Sequence, residues 1–433
     1  MKDATLDKIV AFCKRKGFVY PSSEIYSGLN GVYDFGPLGT LMKQNIRKFW
    51  IKSILKSSDD IFLFEGSLLG PTAVWEASGH LSNFHDPMVD CMNCKRRFRA
   101  DELDLKKPCE VCGATKWTDV KQFNLMFKTH LGATESSGSE GYLRPETAQS
   151  IFINFKNVIS TNRAKLPFGI AQIGKSFRNE ITPKQFLFRT REFEQMELEW
   201  FCKPENGMDD FQFWIDERKK FYENIGISSE NLRFRAHEKE DLSHYSLCCT
   251  DVEYKFPFGW KELEGIAHRS DFDLKQHSKH SGKDLSIFNE QDKKSIIPYV
   301  IESSVGVDRL FLTLLFDAYT EDVVDGQERV LLKLKPEIAP IKMAFFPLVK
   351  KIGEPIYKIY KQFRDLGYSV QYDDSGSIGK RYRRQDEIGT PWSVTYDFDS
   401  ENDEKVTIRN RDTTEQERIK IEQIEQFLKK ESL

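Results

Sequence analysis

Arg178, Arg189, Arg191, Phe193, Glu197 and Glu199 crowd into the stretch 168–201, FGIAQIGKSFRNEITPKQFLFRTREFEQMELEWF. It reads as two extended runs joined by the loop 179–187. That loop holds Pro183 and is too long for a two-residue turn, so an antiparallel hairpin is expected. Alternation along the second run sends Met196, Leu198 and Trp200 to one side. Arg189, Arg191, Phe193, Gln195, Glu197 and Glu199 go to the other, and Arg178, ending the first run, falls near that polar face. Planar guanidinium forks suit phosphate oxygens, and an aromatic face suits a purine ring. The chemistry implied is a nucleotide site built on strands.

A second constellation is Cys91-x2-Cys94 followed by Cys109-x2-Cys112. Two such knuckles place four thiolates around one tetrahedral ion and close its shell, so a structural zinc in a ribbon over 88–118 is expected. Further along, Glu262 lies on a strand over 260–269 with Glu264 on the same face and Leu263 on the other; carboxylates beside a triphosphate would hold Mg2+. A short strand near 300 presents Glu302 and Ser304 on one side, and Gly306 permits a turn into a helix. Arg309 falls in the first turn of that helix. There it opposes the helix dipole by up to about 1 kcal/mol, and a bound anion would account for it. His80 and His85 accompany no nucleophile and read as structural, and the adjacent Cys248 and Cys249 read as buried thiols.

These groups need a sizeable scaffold. The chain has 433 residues, 39% hydrophobic and 30% charged, which implies two or three domains. The first seventeen residues lack a signal-peptide apolar run and no window matches a membrane span, so a cytoplasmic location without membrane partners is expected. A net charge of -3 excludes a uniformly basic nucleic-acid coat. RNA contact would therefore come from local patches, of which Lys380, Arg381, Arg383 and Arg384 form the best candidate.

The spacing predicts an amphipathic helix within 1–20 closed by Gly17, and a helix opened by Pro37. It also predicts a buried strand at 122–129 followed by a polar loop, a helix starting at Pro145 with Glu146 in its first turn, and a helical insertion over 204–224. Beyond 336, strands alternate with helices, as in an α/β unit of about a hundred residues.

FRNE at 177–180 followed by FRTREFEQME at 188–197 resembles motif 2 of the class II aminoacyl-tRNA synthetases in its glycyl form. The segment 28–55 with the strand after it resembles motif 1, the dimer interface, and PYVIESSVGVDRLFLTLLFDAY resembles motif 3. RPETAQ at 144–149 and the E-x-S-x-G string at 302–306 are similar to glycyl signatures, and KPEIAP resembles a linker. The resemblance implies an α+β fold: an antiparallel-sheet catalytic domain over 1–335, with the zinc ribbon and a helical insertion at 204–238, and an anticodon-binding α/β domain over 336–433. It implies a homodimer that joins glycine to ATP as glycyl adenylate and then to the 3' end of tRNA(Gly).

The same resemblance implies the site. Arg178, Asn179 and Glu180, then Phe188, Arg189, Thr190, Arg191, Glu192 and Phe193, would surround ATP. Glu262 and Leu263, with Gly306, Val307, Asp308 and Arg309, would complete that side. Arg178, Glu180 and Arg309 would act directly, Arg178 on the α-phosphate, Glu180 on the adenine amino group and Arg309 on the γ-phosphate. Glycine would meet Glu146, the run Phe193, Glu194, Gln195, Met196 and Glu197, and the run Glu302, Ser303, Ser304, Val305 and Gly306. Arg99 matches a substrate-binding arginine, though a solvated arginine reads equally well. Two rivals are a polymerase accessory subunit of this fold, opposed by the intact Arg178, Glu180, Arg191 and Arg309, and another class IIa synthetase, opposed by the glycyl strings.

Overall fold

The computed structural model describes residues 4–133, 140–243, 245–289, 293–324 and 326–432. Part of the polar loop expected after Thr129, 134–139, lies outside them. The organising element is a seven-stranded sheet of β1 (Ile61–Leu63), β2 (Phe168–Phe177), β3 (Glu192–Cys202), β4 (Leu232–Ala236), β5 (Cys248–Phe256), β6 (Gly259–Ser270) and β7 (Tyr299–Gly306). Its spatial order is β4-β5-β6-β7-β3-β2-β1, antiparallel throughout except where β1 runs parallel to β2.

Helices cover one face because the strand residues pointing there are apolar. The helix Leu6–Lys16 (α1), capped by the Thr5 side chain and ended by left-handed Gly17, delivers Ile9, Phe12 and Cys13 to the core. Pro37–Ser57 (α2) has Pro at its first position and buries Met42, Ile46, Trp50 and Ile54. These meet Met196, Leu198 and Trp200 of β3, Trp214 and Tyr222 of the helix Gly207–Ile225, and Phe311 of the helix Val307–Ala318. Each such large side chain contributes about 1.5–3 kcal/mol when fully buried. A second cluster joins Phe152 and Phe155 of the helix Ala148–Asn162 to Phe168 and Phe201.

Four expectations differ from the structure. The run 122–129 is two strands, Lys121–Asn124 and Phe127–His130, rather than one. The helix after Pro145 starts at Ala148, so Glu146 sits in the loop before it rather than in its first turn. A bulge in the β5–β6 pairing sets Val252 against Glu264 but Glu253 against Glu262, leaving Leu263 extra. Glu264 is thereby turned away from Glu262 into the core, where it takes two hydrogen bonds from Arg218, of 2.7 and 3.1 Å.

The fourth concerns the C-terminal sheet, ordered Val370–Tyr372, Met343–Pro347, Trp392–Tyr396, Lys405–Asn410, Gln416–Lys420. The helix Ile378–Ile388 beside it carries the basic cluster, but Arg381 is only 3% exposed. Its guanidinium donates to the carbonyls of Pro347 and Gly376. Arg381 therefore holds the loop before its own helix and is not available to RNA, whereas Lys380 and Arg384 remain exposed. Among the described residues no helix is long and apolar enough to cross a membrane.

Candidate active site

The uncovered face of the sheet forms the floor of a cavity of about 360 Å3. Register aligns two rows across it. One runs Glu197, Ser304, Gly265, Asp251 and the other Glu199, Glu302, Ala267, Cys249, over β3, β7, β6 and β5. The middle of the floor is small: a Cβ at Gly265 would meet nothing within 4 Å. One end of the cavity is acidic, and the other is lined by arginines.

At the acidic end, Glu197 is 2% exposed and saturated. It accepts from the Thr147 amide at 2.9 Å, the Thr147 hydroxyl, the Gln195 amide at 2.9 Å and the Ser304 hydroxyl at 2.7 Å. Glu146 accepts from Gln149 at 3.0 Å and lies 3.2 Å from His80 Nε2. Glu302 meets Arg269 at 3.0 Å, but Arg269 is also gripped by both oxygens of Asp273 at 2.8 Å, under the Tyr245 ring. One guanidinium thus serves a group of buried carboxylates.

Their protonation follows from that imbalance. Burial and the neighbouring carboxylates Glu197, Glu146 and Asp273 push the Glu302 carboxyl up to about 7 against the pull of Arg269. Burial, then Glu146, raises Glu197. Burial also works to raise Glu146, yet His80 and Arg269 outweigh it and hold that carboxyl well below the usual range. Glu199, whose two oxygens have no hydrogen-bond partner among the described residues, is raised well above its ordinary value by burial and by Glu302.

At the other end, Arg178 donates to the Pro145 carbonyl at 3.1 Å, with its guanidinium 5.2 Å from the Phe193 ring centre and 5.3 Å from that of Phe84. Arg309 donates to the Phe188 carbonyl at 3.2 Å and lies 3.6 Å from the Glu262 carboxylate. Arg189 and Thr190 line the wall between, with Leu263, Gly306 and Asp308. Among the described residues Glu180 Oε2 and Gln195 Oε1, on two of the lining residues, are buried without a hydrogen-bond partner, two acceptors that a ligand donor would satisfy. Burial raises the Glu180 carboxyl.

Several residues assigned to the site do not line this cavity. Glu194 and Met196 alternate to the helix side, where Glu194 pairs with Lys43 of α2 at 3.1 Å and with Arg47 at 2.5 Å. Ser303 likewise turns inward to Glu264, and Val305 and Val307 are wholly buried in the core. Arg191 clamps the carbonyls of Glu180 and Asn30, at 2.9 and 3.1 Å, and Glu192 pairs with Lys175 at 2.6 Å. Asn179 anchors the hairpin loop by donating its amide to the Leu125 carbonyl. Arg99 engages Asp86 at 2.8 Å and Asp101 at 2.7 Å, near enough to Glu180 to act on its charge but outside the lining.

Other groups enter that the sequence reading left without a role or, for His80, read as structural. His80 orients Glu146, and Arg269, Asp273 and Tyr245 form the buried brace of Glu302. Arg144 fixes the loop that carries Glu146, donating to the carbonyls of Lys175 at 2.8 Å and Gly66 at 2.9 Å. It passes directly over Gly174, where a Cβ would stand 2.0 Å from its Nη2. Arg144 opens the RPETAQ string, but its partners Lys175 and Gly66 are distant in the chain.

The ribbon cysteines converge as their spacing requires, with Cys91 Sγ 3.5 Å from Cys112 Sγ and Cys94 Sγ 3.9 Å from Cys109 Sγ. A tetrahedron with metal–sulfur bonds near 2.3 Å has edges of about 3.8 Å, so the four thiols fit a zinc ion.

Residues 127–319 match the tRNA synthetase class II core domain (G, H, P, S and T), and residues 338–431 match an anticodon binding domain. The chain is 54% identical to the glycine–tRNA ligase of Caldanaerobacter subterraneus subsp. tengcongensis over 451 residues, covering 98% of each chain. It is 51% identical to that of Geobacillus thermodenitrificans, covering 99% of this chain and 97% of the relative, and 49% identical to that of Alkaliphilus oremlandii, covering 98% of each. A cavity divided between buried carboxylates and arginines, together with relatives this similar along nearly the whole chain, leads to one conclusion: the chain belongs to the glycine–tRNA ligase family of class II aminoacyl-tRNA synthetases.

Proposed function

We propose that the cavity activates glycine with ATP and passes it to the 3' end of tRNA(Gly). The observation that carries this reading is the surplus of buried carboxylate, Glu146, Glu197, Glu302 and Asp273, gathered around Arg269 at one end of the cavity. Such a pocket attracts a small cation, and the ammonium of glycine leaves no side chain to house. In the first step an oxygen of the glycine carboxylate attacks the α-phosphorus in line. The new oxygen–phosphorus bond forms as the bond to pyrophosphate breaks, and Arg178 stabilises the charge. Phe193 supports the adenine ring, Glu180 takes its amino group and Arg309 holds the γ-phosphate. The tRNA hydroxyl then attacks the glycyl carbonyl and AMP leaves, so no side chain becomes a covalent nucleophile. Glu262 would hold Mg2+, which when bound neutralises phosphate oxygens.

The same reading makes residues 336–433 the anticodon-binding part, with Lys380, Arg383 and Arg384 as its RNA contacts, and the protein a cytoplasmic homodimer. Exposed leucines on and beyond β1, Leu63, Leu68 and Leu69, support a partner surface beside α2. Pyrophosphate exchange into ATP, run with every amino acid in turn, is expected to respond to glycine alone; equal response to alanine or serine would overturn the assignment. Because Glu302 must lose its proton to attract ammonium, kcat/KM for glycine should be low below pH 7. It should climb as the pH rises through that value, and this rise should vanish in Glu302→Gln.

The ribbon is expected to hold about one zinc per chain. Changing Cys91 and Cys94 to Ser should release it and loosen the segment bearing Arg99, read by metal analysis and by proteolysis within 88–118. Freshly prepared reduced protein without zinc would contradict this.

A further inference from the structure

At the rim of the cavity, beyond the residues used for glycine and ATP, His237, Cys249 and Asp251 offer a nitrogen, a sulfur and a carboxylate oxygen. The three donor atoms all lie within 4.8 Å of one another. Strand pairing places them. Cys249 and Asp251 are two apart on β5 and share its cavity face, while the His237 amide donates to the Cys249 carbonyl at 2.9 Å and continues the β4–β5 ladder. His237 Nε2 is 2.7 Å from one Asp251 oxygen, and Cys249 Sγ is 3.9 Å from the other. Cys248, its side chain alternating away, lies instead 4.0 Å from the Met208 sulfur.

We infer that His237, Cys249 and Asp251 form a second metal site, for a divalent ion of the zinc class, whose remaining coordination position opens into the cavity. Thiolate and imidazole donors disfavour Mg2+ and select zinc-like ions, and three protein ligands with one open position is the arrangement of an accessible rather than a closed zinc site. Bonds of about 2.0–2.3 Å set tetrahedral edges of about 3.3–3.8 Å, so the His237 nitrogen and the Asp251 oxygen, now 2.7 Å apart, would part by roughly 0.6 Å while the Cys249 sulfur closes in, movements within reach of side-chain rotation on a fixed backbone. Arg235, 3.1 Å from Asp251, also draws on that carboxylate, while Glu262 nearby adds negative charge. The Cys249 row leads through Ala267 to Glu302, two strands or about 10 Å away, so a bound ion would sit beside the glycine end without replacing its ligands.

The test uses the full-length protein with its ribbon loaded with zinc, titrated with Co2+ under reducing conditions. About one further Co2+ per chain is expected, with a near-ultraviolet thiolate-to-cobalt band of single-thiolate intensity. Cys249→Ser should abolish the band, and His237→Gln, at a strand end and less exposed to folding defects, should weaken binding at least tenfold. The inference is overturned if no band develops, if the same band persists in Cys249→Ser, or if its intensity is that of four thiolates, which would mean exchange into the ribbon.

Discussion

Replacing Arg178 with Ala should lower glycine-dependent pyrophosphate exchange by about 10²–10³, the equivalent of roughly 2.7–4 kcal/mol of transition-state stabilisation. Among the described residues its guanidinium leaves only one hydrogen bond behind, that to the Pro145 carbonyl, so the fold should survive and melting should shift little. Arg309 stands at the Phe188 and Glu262 side and cannot take over the α-phosphate. The loss should fall mainly on kcat, because the charge that Arg178 meets grows as the pentavalent phosphorus forms. A variant that keeps wild-type kcat, or that loses activity only in proportion to lost folded protein, would remove Arg178 from the mechanism.

Glu197→Gln should lower kcat/KM for glycine by some tens to several hundredfold, about 2–4 kcal/mol, with KM for ATP little changed. The reason lies in what surrounds it. An amide offers one acceptor where the carboxylate receives Thr147 twice, Gln195 and Ser304, and its NH2 must face another donor. Ser304→Ala removes one of those donors and should cost less, about 1 kcal/mol. Equal, wild-type glycine kinetics in both variants would mean that glycine binds elsewhere.

Where local pattern decided geometry, the site was legible. Period-two alternation put Phe193, Gln195 and Glu197 on the cavity face and Met196 opposite, as the structure has them. The same rule misplaced Glu264, because a bulge adds a residue that no propensity announces. Arg381 looked like an RNA contact since charge alone cannot distinguish a solvated guanidinium from one satisfied by carbonyls of its own domain. His80 read only as structural, and Arg269 carried no role, because their partners are carboxylates 66 and 33 residues away, a separation that only tertiary packing closes. The four cysteines could be read outright, since thiolate chemistry leaves such spacing few other uses.

The saturation of Glu197 has a consequence for how tightly so small a ligand can be held. Even at the ceiling of about 1.5 kcal/mol per non-hydrogen atom, glycine can supply no more than about 8 kcal/mol, a dissociation constant no better than micromolar. Nothing would remain to order loose side chains. With Thr147, Gln195 and Ser304 already holding the carboxylate, that ordering is complete when the chain folds, and the ligand's few contacts can go almost wholly into affinity.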